Sequence, residues 1–307
     1  MIYSVRHRTT YRYANVVSYA RCHLRLTPRS SAAQTPLKAD VIITPEAAGW
    51  DDQRDMFANV LTTVVIETPH RELVVEARSL VDVRPSKALA AHQSDAWEAV
   101  RTASLASLTL DPASPSLYSY PTRATPFLPA IADFALESFT PHRPILEACA
   151  DLLRRMKTQF AYDPKATEVD THVRDAFAKR RGVCQDFAHI VICGLRGIGL
   201  PARYVSGYIL TRPAPGQPRL EGADASHAWV ELWCGPELGW VGMDPTNNMF
   251  TGEEHIVLAC GRDYNDVAPI VGILLGSGRQ TLKVEVDVEK RHESSTDNVI
   301  DLSRSRG

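Results

Sequence analysis

The stretch Arg181-Gly182-Val183-Cys184-Gln185-Asp186-Phe187 leads into an apolar run that continues to Ile198, and its reading decides the fold. Gly182 breaks the pattern before it, so a helix is expected over 184–198, starting at the cysteine. A thiol in the first helical turn feels the partial positive charge of unpaired backbone N–H groups, which favours thiolate. The same N–H groups can receive an oxyanion, so Cys184 has the setting of a nucleophile. Cys193 lies nine positions on, roughly 180° around the helix, so at most one of the two thiols faces a cleft. His189 is offset by about 140° and is not placed to share a metal with Cys184; it reads as a packed histidine. Asp186 is expected to cap or charge the helix start.

Downstream, Ser226-His227-Ala228-Trp229-Val230-Glu231-Leu232-Trp233 alternates strictly, which reads as a strand with His227, Trp229, Glu231 and Trp233 on one face. After Cys234-Gly235-Pro236-Glu237, a second run over 238–244 stops at Pro245, which cannot continue a central ladder. The two runs form a hairpin. A four-residue loop sets Trp233 opposite Leu238, and counting back pairs Glu231 with Trp240, Trp229 with Gly242, and His227 with Asp244. Opposed residues have Cβ atoms about 4.5 to 5.5 Å apart. A carboxylate at that range can hold one imidazole nitrogen and leave the other for the thiol. Cys184, His227 and Asp244 are thus the candidate nucleophile, base and orienting group. Gln185 and Tyr162 are candidate second donors to an oxyanion, and Trp229 and Trp240 are candidate walls of the cleft.

Ahead of this region, segments 3–13, 19–26, 37–44, 61–68 and 73–83 alternate polar and apolar residues and are separated by turn formers, with no helical period between them. They are expected to form an antiparallel β-domain over 1–85. Residues 86–143 are rich in proline and are expected to be a loop-rich connection, with a short helix or two, packed on the core. The core is expected over 144–290. It holds an amphipathic helix beginning at Ile145, another at 173–179, strands between 202 and 243 and a last strand at 282–288; the apolar run 268–275 reads as a buried strand or loop. Residues 291–307 form a polar tail.

The 307 residues are 44% hydrophobic and 23% charged, an ordinary folded composition, and the length fits two domains. With 34 basic and 36 acidic side chains the net charge is -2, which gives no reason to expect a nucleic acid partner. No run approaches the roughly 18 apolar residues of a membrane span, and the first residues lack a signal-peptide pattern. The six scattered cysteines are therefore expected to be reduced thiols in the cytoplasm. No CxxC pair exists, and neither a metal nor a cofactor is expected.

Four pieces together resemble the bacterial transglutaminase-like proteins, relatives of the papain-type cysteine peptidases: residues 182–189, 199–208, 226–231 and 239–247, with 261–264 extending the likeness. The resemblance covers about 145–288, and 1–85 looks like the β-domain that precedes this core in the family. It implies an α+β fold with a papain/transglutaminase-like core, in which a central helix carrying Cys184 packs on an antiparallel sheet carrying His227 and Asp244. It also implies a Cys-His-Asp enzyme acting on a peptide or other amide substrate through an acyl-enzyme thioester. Hydrolysis is the expected outcome, since nothing resembles the calcium sites of animal transglutaminases. Acyl transfer to an amine, acyl transfer from a thioester donor and a non-catalytic peptide-binding module are the alternatives.

Overall fold

A computed structural model describes residues 1–84, 90–210 and 226–291. The expected boundary at 85, part of the strand-rich stretch 202–243 and most of the tail 291–307 lie outside them. Six strands come first: β1 (Ile2–Val17), β2 (Tyr19–Leu24), β3 (Gln34–Thr44), β4 (Gly49–Arg54), β5 (Val60–Ile66) and β6 (His70–Val83). Then follow α1 (Trp97–Leu105), α2 (Pro129–Leu136), α3 (Ile145–Gln159), β7 (Ala161–Tyr162), α4 (Val173–Lys179), β8 (Arg181–Gly182) and α5 (Cys184–Gly197). The chain continues through β9 (Ala202–Ile209), β10 (Ser226–Trp233), β11 (Trp240–Asp244), β12 (Met249–Phe250), β13 (His255–Gly261) and α6 (Tyr264–Val267), and closes with β14 (Ile270–Leu275) and β15 (Gln280–Arg291).

The amino-terminal strands form two antiparallel sheets, ordered β15-β1-β6-β3 and β14-β2-β5-β4. Alternate residues of β1, from Tyr3 and Val5 to His7 and Thr9, point into the layer between the sheets, as the period of two requires. The last two strands differ from the expectation that the core runs to 290. β15 pairs with β1 from Ile2↔Arg291 to Tyr13↔Gln280, and β14 pairs with β2. Val286 and Val288 are fully buried in the amino-terminal core, whereas β14 is an edge strand with Val271, Ile273 and Leu275 exposed, not the buried segment its composition implied.

The second unit is a five-stranded antiparallel sheet, ordered β12-β11-β10-β9-β13, with α5 laid on one face. Ala228, Val230 and Leu232 of β10 pack against Ala188, Val191 and Leu195 in the same apolar cluster. Helix α2 crosses α5 closely because Gly194 offers no Cβ, where one would lie 2.7 Å from the Cβ of Ala135.

The two units are joined along the outer edge of β13. The Gln34 side chain donates to the Val257 carbonyl at 2.7 Å and accepts from the Val257 N–H at 2.7 Å. Asn59 treats Cys260 the same way, with both bonds at 2.8 Å. Two buried carboxamides thus stand in for a neighbouring strand and satisfy an edge that would otherwise bury bare backbone groups. His7 adds a bond of 2.9 Å to the Tyr208 hydroxyl.

Candidate active site

Cys184 is the first residue of α5, preceded by a sharp entry. Arg180 takes the left-handed conformation at the end of α4, and β8 then pairs in parallel with β7, setting Gly182 opposite Tyr162. Asp186 accepts from the Val183 N–H at 2.8 Å and from the Thr167 hydroxyl at 2.6 Å, so it caps the helix start and does not face the thiol chemistry. Gly182 is required there, because a Cβ would lie 2.5 Å from Asp186 Oδ2. Of the six cysteines, all unpaired, five are buried and Cys184 alone is half-buried. Burial pushes the thiols of Cys193 and Cys234 up to about 12, which leaves them inert at neutral pH.

His227 is the second residue of β10 and is 9% exposed. Its Nε2 lies 2.7 Å from Asp244 Oδ2, and the Cys184 side chain is its other hydrogen-bond partner, which leaves Nδ1 for the sulfur. Asp244 ends β11 with no exposed surface. Its Oδ1 accepts the Thr246 and Asn247 N–H groups at 2.9 and 3.1 Å; its Oδ2 also meets Asn247 Nδ2 at 2.7 Å and His255 Nε2 at 3.3 Å. Burial alone would push this carboxyl up, but the bonds from His227, His255 and Asn247 and the charge on His227 hold it well below the usual carboxylate range. For His227 burial works downward, and the bonds and charges of Asp244 and Cys184 outweigh it, raising the ring to about 10.

The hairpin that brings His227 and Asp244 together differs from the four-residue loop expected. The ladder runs from Trp233↔Trp240 to Val230↔Met243, so the loop has six residues, 234–239. Gly235 and Gly239 take positive φ, and the Cys234 N–H bonds to the Gly239 carbonyl at 2.8 Å, which closes the wider turn. Glu231 thereby faces Gly242, and His227 reaches Asp244 diagonally. A slip of two residues keeps every side chain on its own face, so the pair survives the changed register.

The other candidates separate. Tyr162 is 54% exposed, its ring meets Phe187 edge-on at 6.5 Å, and it stands close enough to Cys184 to feel that sulfur's charge. Burial first, and then Cys184, raises its hydroxyl above the ordinary phenol value, so it stays a donor. Gln185 turns away, its amide donating to the Val169 carbonyl at 2.9 Å. Trp229 is fully buried beside His227, with ring centroids 6.0 Å apart, and with Trp240, Glu231 and His255 it lines an open pocket. Trp240 donates to the Ala113 carbonyl and carries Arg203 on its face at 4.3 Å. His189 is buried against Tyr204 and accepts the Tyr264 N–H at 3.2 Å; burial lowers it to about 4, so it is neutral. His255 and Asn247 escaped the sequence reading, because neither belongs to an alternating pattern that marks its side chain as convergent. Among the described residues no group of three or more His, Cys, Asp or Glu is placed to hold a metal ion.

Comparison with known proteins follows the same division. Residues 3–82 match the family described as the bacterial transglutaminase-like N-terminal region. Residues 134–245, which include Cys184, His227 and Asp244, match the transglutaminase-like superfamily. Uncharacterized proteins from Mycobacterium bovis and Mycobacterium tuberculosis are 38% identical over 298 residues, covering 93% of this chain and 92% of theirs. A protein-glutamine gamma-glutamyltransferase from Pseudomonas aeruginosa is 36% identical over 131 residues, 41% of this chain but only 19% of its own length. The crystal structure of a "Putative Cysteine Protease" from Cytophaga hutchinsonii superposes with a TM-score of 0.71 at 18% identity, covering 94% of this chain and 90% of that one. The overall arrangement is thus a papain/transglutaminase-like α+β fold.

Proposed function

Because this chain belongs to the bacterial transglutaminase-like family, we propose that it is a cysteine-dependent amide or peptide hydrolase using Cys184, His227 and Asp244. The observation that carries the reading is the relay itself: the Cys184 side chain bonds to His227, whose Nε2 is gripped by Asp244 at 2.7 Å. A cationic imidazole beside a thiol favours thiolate, the reactive form. The sulfur attacks an amide carbonyl, and the C=O electron pair moves to oxygen. The Cys184 backbone N–H and the Tyr162 hydroxyl receive that oxyanion. As the tetrahedral carbon collapses, the C–N bond breaks and His227 Nδ1 gives its proton to the departing amine, leaving a thioester on Cys184. Neutral His227 then takes a proton from water, the oxygen attacks the thioester, and thiolate and acid are released.

An amine in place of that water would give transamidation by the same steps. The similarity to the Pseudomonas transferase favours keeping this second reading. To test the proposal, the protein is incubated with a library of peptides and simple amides and searched by mass spectrometry for acyl adducts on Cys184, with Cys184→Ala as control. Adducts that decay to free acid support hydrolysis; adducts passed to an added amine support transfer. A Cys184 that forms no adduct and alkylates with iodoacetamide at mildly acid pH no faster than a free thiol would leave a peptide-binding module as the better account.

A further inference from the structure

His255 opens β13, on the far side of the sheet from α5, and no sequence motif singles it out. It is 4% exposed, and the indole of Trp229 meets it edge-on at 5.2 Å, which fixes the plane of the ring. Its Nδ1 accepts the Gly252 N–H at 3.3 Å, so the ring proton sits on Nε2, which faces Asp244 Oδ2 at 3.3 Å. Oδ2 is therefore shared among His227, Asn247 and His255.

The place of that carboxylate does not depend on His255. The N–H groups of Thr246 and Asn247 hold Oδ1, and Asn247 Nδ2 holds Oδ2. What His255 changes is the charge left over. A carboxylate oxygen with fewer donors presents more negative charge to those that remain, and strengthens its bond to a cationic partner. The groups facing His227 are Cys184 from α5, Asp244 from β11, Asn247 from the turn after β11, and the rings of Trp229 and His255. Asp244 is the anion among them with the shortest contact, so its donors govern how tightly the imidazolium keeps its proton.

We propose that His255 is a positioning residue acting through Asp244: by sharing Oδ2 it loosens the hold of that carboxylate on the His227 proton and keeps the ring acidic enough to protonate a leaving amine. A general acid whose proton is bound too tightly transfers it slowly, so the device matters for acylation. This inference rests on the triad reading given above, and it adds a residue to that site.

The test follows the His227 ring by NMR in protein carrying 13C-labelled histidine, the signal being assigned by its loss in His227→Gln. In His255→Phe, or His255→Leu should the larger ring unfold the domain, the titration midpoint of His227 rises by about half a unit or more, a roughly threefold tighter hold on the proton. Acylation of Cys184 slows by about tenfold in the same variants. His255→Gln, whose amide N–H reaches about as far as Nε2, restores both. A midpoint in His255→Phe and His255→Leu that equals or falls below that of the parent protein overturns the proposal, even if the variants melt earlier. If the parent protein forms no acyl adduct at Cys184, the triad reading fails instead, and the midpoint still reports whether His255 tempers Asp244.

Discussion

His227 and Asp244 meet at 2.7 Å from positions that are not opposite each other on the ladder. The carboxylate comes in diagonally and is clamped by four further donors, three of them from Thr246 and Asn247 just past the strand end and the fourth from His255. Replacing Asp244 by Asn keeps the shape but removes the charge that fixes the imidazole. Acylation of Cys184 is expected to fall by about 10² to 10⁴-fold in Asp244→Asn, measured as the rate of adduct formation by mass spectrometry. A loss under about fivefold would remove Asp244 from the relay.

The raised His227 ring ties stability to pH. Its ordinary value is 6.5 and the fold lifts it to about 10, so the folded state binds this proton more tightly than the unfolded chain. The contribution is complete below pH 6.5 and disappears as pH rises through about 10. Asp244 works in the opposite direction: its contribution is present above the ordinary value of 3.8 and is lost as pH falls below it. Calorimetry should show the parent Tm declining between neutral pH and pH 10 more steeply than that of His227→Gln. Parallel slopes would contradict the shift.

Tyr162 separates two reactions of the same sulfur. Attack on a carbonyl builds an oxyanion, whereas alkylation by iodoacetamide does not. Tyr162→Phe should slow acylation by about 10- to 10³-fold and leave alkylation of Cys184 unchanged. Equal effects on both reactions would mean the hydroxyl only supports the thiol.

The edge of β13 offers a stability test away from the site. Asn59→Ala strands the N–H and the carbonyl of Cys260, and Gln34→Ala does the same at Val257. Each substitution should cost about 1 to 3 kcal/mol in urea unfolding, since both leave buried polar groups unpaired. Full stability in the double variant would show that the two units do not depend on this seam.

Where a segment has one wet and one dry face, its residues announced it. β1 and β10 alternate, α3 repeats at helical spacing, and the start of α5 is marked by Gly182 and Cys184. β4 carries no such mark, because nearly all of Gly49–Arg54 is exposed on both faces and its sequence, with two aspartates, does not alternate. The hairpin register is not legible in the alternation, because a turn of four and a turn of six residues put the same side chains on the same face, and only Gly235 and Gly239 with their positive φ decide between them. The pairing of β15 with β1 left no local mark, since the partners lie more than 260 residues apart. His255, only 11 residues beyond Asp244, left no mark either, because no alternating pattern shows that its side chain turns toward that carboxylate.

The strand order also bears on how the polypeptide is made. Each of the first two sheets needs a strand from 270–291, so when the opening 84 residues leave the ribosome, β1 and β2 present bare edges. The segment bearing Cys184 emerges and can collapse while those edges still wait. The two sheets are therefore completed only once residues 270–291 have been made, and a chaperone that shields open strands would act on β1 and β2 until then.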